Sequence, residues 1–147
     1  MSILIRKLAD VSYAEWLLLW QGYQAFYQTQ LSDAVNTQTW QRLIDAQIQE
    51  MYGFAAIEDQ RVVGIVHVIE HASCWTLTPY AYLQDLFTLK EYRGQGIATA
   101  LIHHVEQYCK QQRNCDRVYW LTHQDNITAR QLYDRVAART GFIQYRI

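Results

Sequence analysis

Tyr92-Arg93-Gly94-Gln95-Gly96-Ile97-Ala98 constrains the fold of this chain more than any other stretch. It follows an apolar run from Tyr82 to Leu89. It opens a segment in which Ile97, Leu101, Val105 and Tyr108 recur at spacings of 4, 4 and 3. That order predicts a strand, a turn with two glycines, then an amphipathic helix. The first-turn N–H groups of a helix have no intrahelical acceptor, and the helix dipole adds partial positive charge there. Gly94 and Gly96 lack a Cβ, so an anionic group can come close to the backbone. Arg93 adds a full positive charge at the edge. The junction suits a phosphate, although two glycines also occur in purely structural turns.

The rest of the composition narrows the class. The 147 residues are half apolar with a formal net charge of −1, which excludes a disordered chain and predicts one domain over residues 1–147. Basic residues form no run or stripe, so no nucleic-acid partner is expected. No apolar run approaches the ~20 residues of a membrane span, and no membrane association is expected. The opening residues, Met1 to Lys7, read as a short strand rather than a signal peptide. Cys74, Cys109 and Cys115 lack paired Cys-x-x-Cys spacing. They predict neither a disulfide framework nor a metal site, and they fit a reduced cytoplasm.

Periodicity predicts the remaining elements. Ile3 to Leu8 reads as a strand and Ser12 to Gln28 as a helix, with Trp16, Leu19, Trp20 and Tyr23 on one face. A loop is expected over Ser32 to Asn36 and a second helix over Thr39 to Glu50. Phe54–Glu58 and Val62–Glu70 form a hairpin joined by Asp59-Gln60-Arg61. After an irregular connection, Tyr80–Leu89 is the strand before the glycine turn. Arg117–Thr122 reads as a strand, Asn126–Arg139 as a helix, and Phe142–Ile147 as a closing strand. The order implies an α/β (α+β) fold, a mixed sheet flanked by helices on both faces.

Two motif blocks carry a family resemblance. The first is the strand, turn and Arg-Gly-x-Gly-Ile-Ala unit from Leu83 to Leu101. The second is Val118 to Thr122, then Asn126-x-x-Ala129-x-x-Leu132-Tyr133, then Gly141-Phe142. Together they resemble the GNAT N-acetyltransferases, which use acetyl-CoA, over about Gly53 to Ile147. Trp120-x-Thr122, Leu132-Tyr133-x-x-Val136 and Phe142-Ile143-x-Tyr145 look closest to the polyamine and histone acetyltransferase-like branch.

The resemblance implies roles. Arg93, Gly94, Gln95, Gly96, Ile97, Ala98 and Thr99 correspond to the pyrophosphate loop. Leu86, Phe87 and Thr88 match the strand whose backbone aligns the pantetheine. Asn126 and Ala129 match positions beside the coenzyme arm, and Asn126 also suits a helix cap. Tyr133 matches the tyrosine that protonates the departing thiolate. A phenol with a reference pKa of about 10 holds its proton at neutral pH and can donate it. The same helical stripe, Ala129, Leu132, Tyr133 and Val136, also suits a core tyrosine.

The base is less defined. An amine of reference pKa about 10.4 is neutral in only about one molecule per thousand near pH 7.4, a cost of roughly 4 kcal/mol. Spermidine/spermine-type enzymes carry Glu-Asp where this chain has Gln84-Asp85. Gln84 is no base, and Asp85 faces the opposite side if the strand is regular. Glu70 and His71 are alternatives, as is loss of the proton to solvent. Tyr27 and its aromatic neighbours are candidates for an acceptor wall, through cation–π contact or as plain packing. His67, His103, His104 and His123 read as surface or core residues.

The resulting expectation is acetyl transfer from acetyl-CoA, without a metal, to a small amine, polyamine or lysine-like acceptor. A protein acetyltransferase and a weakly catalytic acyl-CoA sensor or interaction module remain open. The apolar C-terminal segment suggests a homodimer.

Overall fold

A computed structural model describes residues 2–147. Five strands form one sheet in the order β1-β2-β3-β4-β5: Leu4–Lys7 (β1), Met51–Glu58 (β2), Arg61–His71 (β3), Tyr80–Thr88 (β4) and Arg117–Tyr119 (β5). The first four are antiparallel neighbours, and β5 runs parallel to β4. Asp59 and Gln60, both at positive φ, turn β2 into β3. This is the two-residue hairpin geometry that matches strand twist, so Arg61 already pairs with Glu58 instead of lying in the loop.

Helices Tyr13–Phe26 (α1) and Asp33–Ile44 (α2) cover one face of the sheet; Ile97–Gln111 (α3) and Ile127–Val136 (α4) cover the other. On the α1 side Trp16, Leu19 and Ile65 are fully or almost fully buried with Trp20, Trp40 and Leu43. On the α3 side Val63, Val66, Val68, Leu101 and Val105 form the second core. Each such buried aliphatic side chain contributes about 1.5–3 kcal/mol.

Local chemistry sets the helix limits. Ser12 and Glu15 make a reciprocal capping box at the start of α1, an arrangement in which the cap contributes about 1 kcal/mol. Gly22 lets α1 lie against β4, since a Cβ there would come within 3.0 Å of the Phe87 ring. The second helix begins and ends earlier than its sequence pattern predicts. Ser32 caps the Val35 amide, so the expected loop over Ser32 to Asn36 is already helical from Asp33. Asp45 leaves helical φ/ψ and accepts from the Gln47 amide at 2.9 Å. That local side-chain bond replaces the next helical turn, and the expected helix to Glu50 stops at Ile44.

The C-terminal end departs further. The predicted strand Arg117–Thr122 is limited to β5, and the predicted helix to Arg139 ends at Val136. The expected strand Phe142–Ile147 does not form. Among the described residues they have no strand partner, and Phe142, Ile143, Tyr145 and Ile147 are largely exposed. A strand requires a neighbour to satisfy its backbone, and β5 offers an edge of only three residues.

Candidate functional site

β4 pairs with β3 along its length but with β5 only from Tyr80 to Tyr82. From Leu83 to Thr88 its outer edge has no strand neighbour among the described residues. The sheet therefore opens into a gap that runs up to the glycine turn. Beyond a short 3-10 turn at Lys90–Tyr92, Gly94 and Gly96 adopt φ of 76° and 83°, and Gly96 is the N-cap of α3. A Cβ built on either glycine meets no atom within 4 Å. The turn is thus open to a ligand. Its glycines supply the left-handed conformation that other residues rarely adopt. Gly96 has no side chain to cap the amides of Ile97, Ala98 and Thr99. Arg93 donates from Nε to the Thr88 carbonyl at 3.0 Å and lies over the Phe26 and Phe87 rings.

A bulge interrupts β4 beside the gap. His67 pairs with Asp85 but Val68 pairs with Leu83, leaving Gln84 as the extra, exposed residue. Regular alternation would send Asp85 to the α3 face with Leu83. The bulge instead carries it to the α1 face, where its Oδ2 lies 2.9 Å from His67 Nδ1. The sequence expectation of a regular strand fails at this one residue, and the failure changes which face the carboxylate serves.

Aromatic groups surround Asp85. Tyr23 and Tyr27 contact each other with ring centroids 5.0 Å apart, and Tyr82 stacks on Tyr119 at 5.1 Å. Burial, followed by the charge of Asp85, pushes the Tyr23 phenol well above the ordinary phenol range. The same causes raise Tyr82. A cavity of about 220 Å³ between α1 and the following loop is lined by Trp20, Tyr23, Gln24, Tyr27, Thr29 and Leu31. Gln24 fixes that loop by donating to Asn36 Oδ1 at 3.0 Å and accepting from the Leu31 amide at 2.8 Å.

From the other face, α4 brings Tyr133 to the gap. Its ring packs edge-on against Trp120 at 5.5 Å. Burial raises its pKa, with a smaller contribution from Tyr27. Tyr27 and Tyr133 thus approach from opposite sides of the sheet where β5 has ended. Asn126 is the N-cap residue of α4, but its side chain makes no capping bond; its amide donates to Thr122 Oγ1 at 3.4 Å. Ala129 lies one turn further along, half-buried.

Not every sequence candidate reaches this place. Glu70 accepts two hydrogen bonds from Arg113 and one from Tyr52 on the α3 side. His71 pairs across from Tyr80, five residues from Asp85 along β4 and so about 15 Å away by strand rise. Both of its ring nitrogens are engaged, with the Ala72 carbonyl and the Tyr119 hydroxyl. The structure adds one residue that sequence reasoning passed over, His67, and it brings Tyr23, an aromatic neighbour of Tyr27, up to Asp85. The signal for His67 was a lone polar residue inside the apolar run Val62–Ile69.

Residues 15–138 match the sequence model of the Acetyltransferase (GNAT) family. The chain belongs to this family. It is 27% identical to a D-amino-acid N-acetyltransferase of Saccharomyces cerevisiae over 98% of this chain and 89% of that protein. It is also 27% identical to an aminoglycoside N(6′)-acetyltransferase type 1 of Acinetobacter genomosp. 13, over 72% of this chain and 70% of that protein. A solved aminoglycoside 6′-acetyltransferase, in complex with a bisubstrate analogue of CoA, superposes with a TM-score of 0.79 at 17% identity. The match covers all of both chains. The GNAT fold and acetyltransferase class are therefore those of this chain, and GNAT enzymes use acetyl-CoA as acetyl donor. Among the described residues, no group of His, Cys, Asp and Glu is placed to hold a metal ion, and no helix is long and apolar enough to cross a membrane.

Proposed function

We propose that this GNAT enzyme acetylates the primary amine of a small, cationic acceptor, in the manner of the polyamine-type branch. The observation that carries the reading is the gap beside Leu83–Thr88. It runs from the open glycine turn to a place where Tyr133 on one face meets Tyr27 on the other, with Tyr23 and Asp85 next to Tyr27.

Acetyl-CoA supplies the activated acetyl thioester. In this reading Arg93 and the backbone of Gly94, Gln95, Gly96, Ile97, Ala98 and Thr99 hold its diphosphate, by dipole and unpaired amides. The open backbone of Leu86, Phe87 and Thr88 aligns its pantetheine arm, which Asn126 and Ala129 flank. Main-chain N–H groups at the bulge polarise the reacting carbonyl. Asp85 accepts a hydrogen bond from the entering amine and receives or passes on its surplus proton. The rings of Tyr23 and Tyr27 attract the cation. Gln84, exposed on the bulge, faces the entrance without acting as a base. Tyr133 stays protonated because burial raises its pKa. Relative to a thiol near 8.5, full proton transfer from a phenol at or above 10 is uphill by at least about 2 kcal/mol. Tyr133 therefore serves first as a hydrogen-bond donor to the departing sulfur and completes the transfer as charge develops there.

The cavity lining carries no cationic side chain. It thus offers no opposite charge to pair an acceptor carboxylate, which favours diamines, polyamines and amino sugars over amino acids. A panel of putrescine, spermidine, an aminoglycoside, a D-amino acid and an N-terminal peptide, read by thiol release, tests this. Fastest turnover with a polycation is expected. Tight CoA binding without amine-dependent thiol release would replace the enzyme reading with a sensor, and a preference for the peptide would make it a protein acetyltransferase.

We also infer a homodimer in a reducing compartment. The unpaired edge of β5 and the exposed apolar residues of segment 142–147 are complementary needs that a second copy satisfies by strand addition. The three cysteines carry free thiols, which fits a cytoplasmic setting.

A further inference from the structure

We propose that His67 is a positioning residue for this reaction: through one proton held on Nδ1 it orients the Asp85 carboxylate toward the acceptor amine. The inference rests on the reading of Asp85 as the acceptor-side carboxylate.

The Trp16 indole N–H is a donor only. Its 3.0 Å contact with His67 Nε2 therefore assigns a lone pair to that nitrogen. A singly protonated ring then carries its hydrogen on Nδ1, facing Asp85 Oδ2 at 2.9 Å. No ring nitrogen is left free. His67 cannot accept a proton from an amine without ending the bond to Trp16, so it is not itself a base. What it does is fix one oxygen of Asp85. The Tyr23 hydroxyl lies beside the same carboxylate, whose remaining lone pairs serve the acceptor.

Burial makes the arrangement rigid. The His67 side chain is 3% exposed, against 13% for that of Asp85. The imidazole is wedged against Trp16 and Trp20, with ring centroids 6.0 and 5.0 Å away. The register shift in the sheet falls between His67 and Val68. The residue that grips Asp85 is thus also the last one before the bulge that turns Asp85 to this face. A histidine kept only for packing does not require its second nitrogen to meet the Asp85 carboxylate.

Two substitutions separate the two hydrogen bonds. In His67→Asn the amide nitrogen reaches the place of Nδ1 and still donates to Asp85. In His67→Gln the amide oxygen reaches the place of Nε2 and still accepts from Trp16, but Asp85 loses its imidazole donor. A bond to a charged group is at stake, so His67→Gln is expected to lower kcat/KM for the amine about tenfold or more. The KM for acetyl-CoA is expected to stay unchanged, and His67→Asn to recover most of the loss. Equal losses in the two variants, or losses that follow their melting temperatures, overturn the proposal. Imidazole 15N shifts of the wild-type protein give a second readout: the Nδ1–H tautomer is expected, and an Nε2–H tautomer overturns it. A wild-type protein that acetylates no amine, or an Asp85→Asn variant of full activity, overturns the underlying reading of the site and this proposal with it. An active wild type, an impaired Asp85→Asn and indistinguishable His67 variants overturn this proposal alone.

Discussion

Arg113, just past α3, grips Glu70 of β3 at two points, with Nε 2.9 Å from Oε2 and Nη2 3.1 Å from Oε1. The Tyr52 hydroxyl adds a third bond to the same carboxylate at 2.6 Å. Glu70 is 6% exposed, so its charge depends on these partners. The pair ties the C-terminal end of α3 to the sheet, on the face away from Asp85. Removing the guanidinium strands a buried carboxylate. Because Arg113 is partly exposed and water can enter, Arg113→Ala is expected to cost about 2 kcal/mol, less than a fully buried pair. Urea unfolding measures this, and amine kcat/KM is expected to change by less than about twofold, within the range of a site that is not in contact.

At the glycine turn, a side chain on Gly96 enters the space proposed for the diphosphate. Gly96→Arg is expected to weaken acetyl-CoA binding by about two orders of magnitude, through strain at φ 83° and occupation of the open turn. Isothermal titration with CoA reads it. Unchanged affinity would place the phosphates elsewhere.

Tyr133→Phe removes one oxygen and leaves the ring against Trp120. A drop in kcat of about a hundredfold is expected, the usual contribution of a positioned acid, with CoA affinity within about twofold. Equal turnover would leave Tyr133 as a packing residue.

Alkali exposes a further property. Burial, followed by bonds to Cys109 and Glu70, raises the Tyr52 phenol above its ordinary range, and burial pushes the Cys115 thiol up to about 12. In the unfolded chain these groups ionise near about 10 and 8.5. The folded chain therefore holds more protons than the unfolded one in alkaline solution. Stability is fully present below about pH 8.5 and declines as pH rises toward the folded values. Thermal melts are expected to be level from about pH 7 to 8.5 and to fall steadily above about pH 9. In Tyr52→Phe the part of the slope above about pH 10 becomes shallower.

Deletion of residues 142–147 removes the apolar segment without touching either core. Sedimentation is expected to show a dimer for the whole chain and a monomer for the truncated one. A wild-type monomer at micromolar concentration would end the strand-addition reading.

The sheet, the hairpin at Asp59-Gln60 and the junction from β4 through the glycine turn to α3 were legible because each depends on short-range signals. Strand alternation, turn residues and helical spacing all act within a few residues. The boundaries of α2 were misplaced because Ser32 and Asp45 compete for the backbone through local side-chain bonds that a hydrophobic pattern does not register. The closing strand was misplaced because alternation describes a face to be covered, while only a partner strand makes the ladder.

The sequence by itself determined the order of elements, the glycine turn before α3 and the two motif blocks of the family, since these follow from residue type and spacing. Only the tertiary structure decided which face Asp85 serves, that His67 and Trp16 stand behind it, and that Glu70 is held by Arg113 instead of facing the gap. The reason is that one extra residue in a strand reverses every side chain after it. Whether a buried polar group is bound or free depends on residues that fold against it from far along the chain.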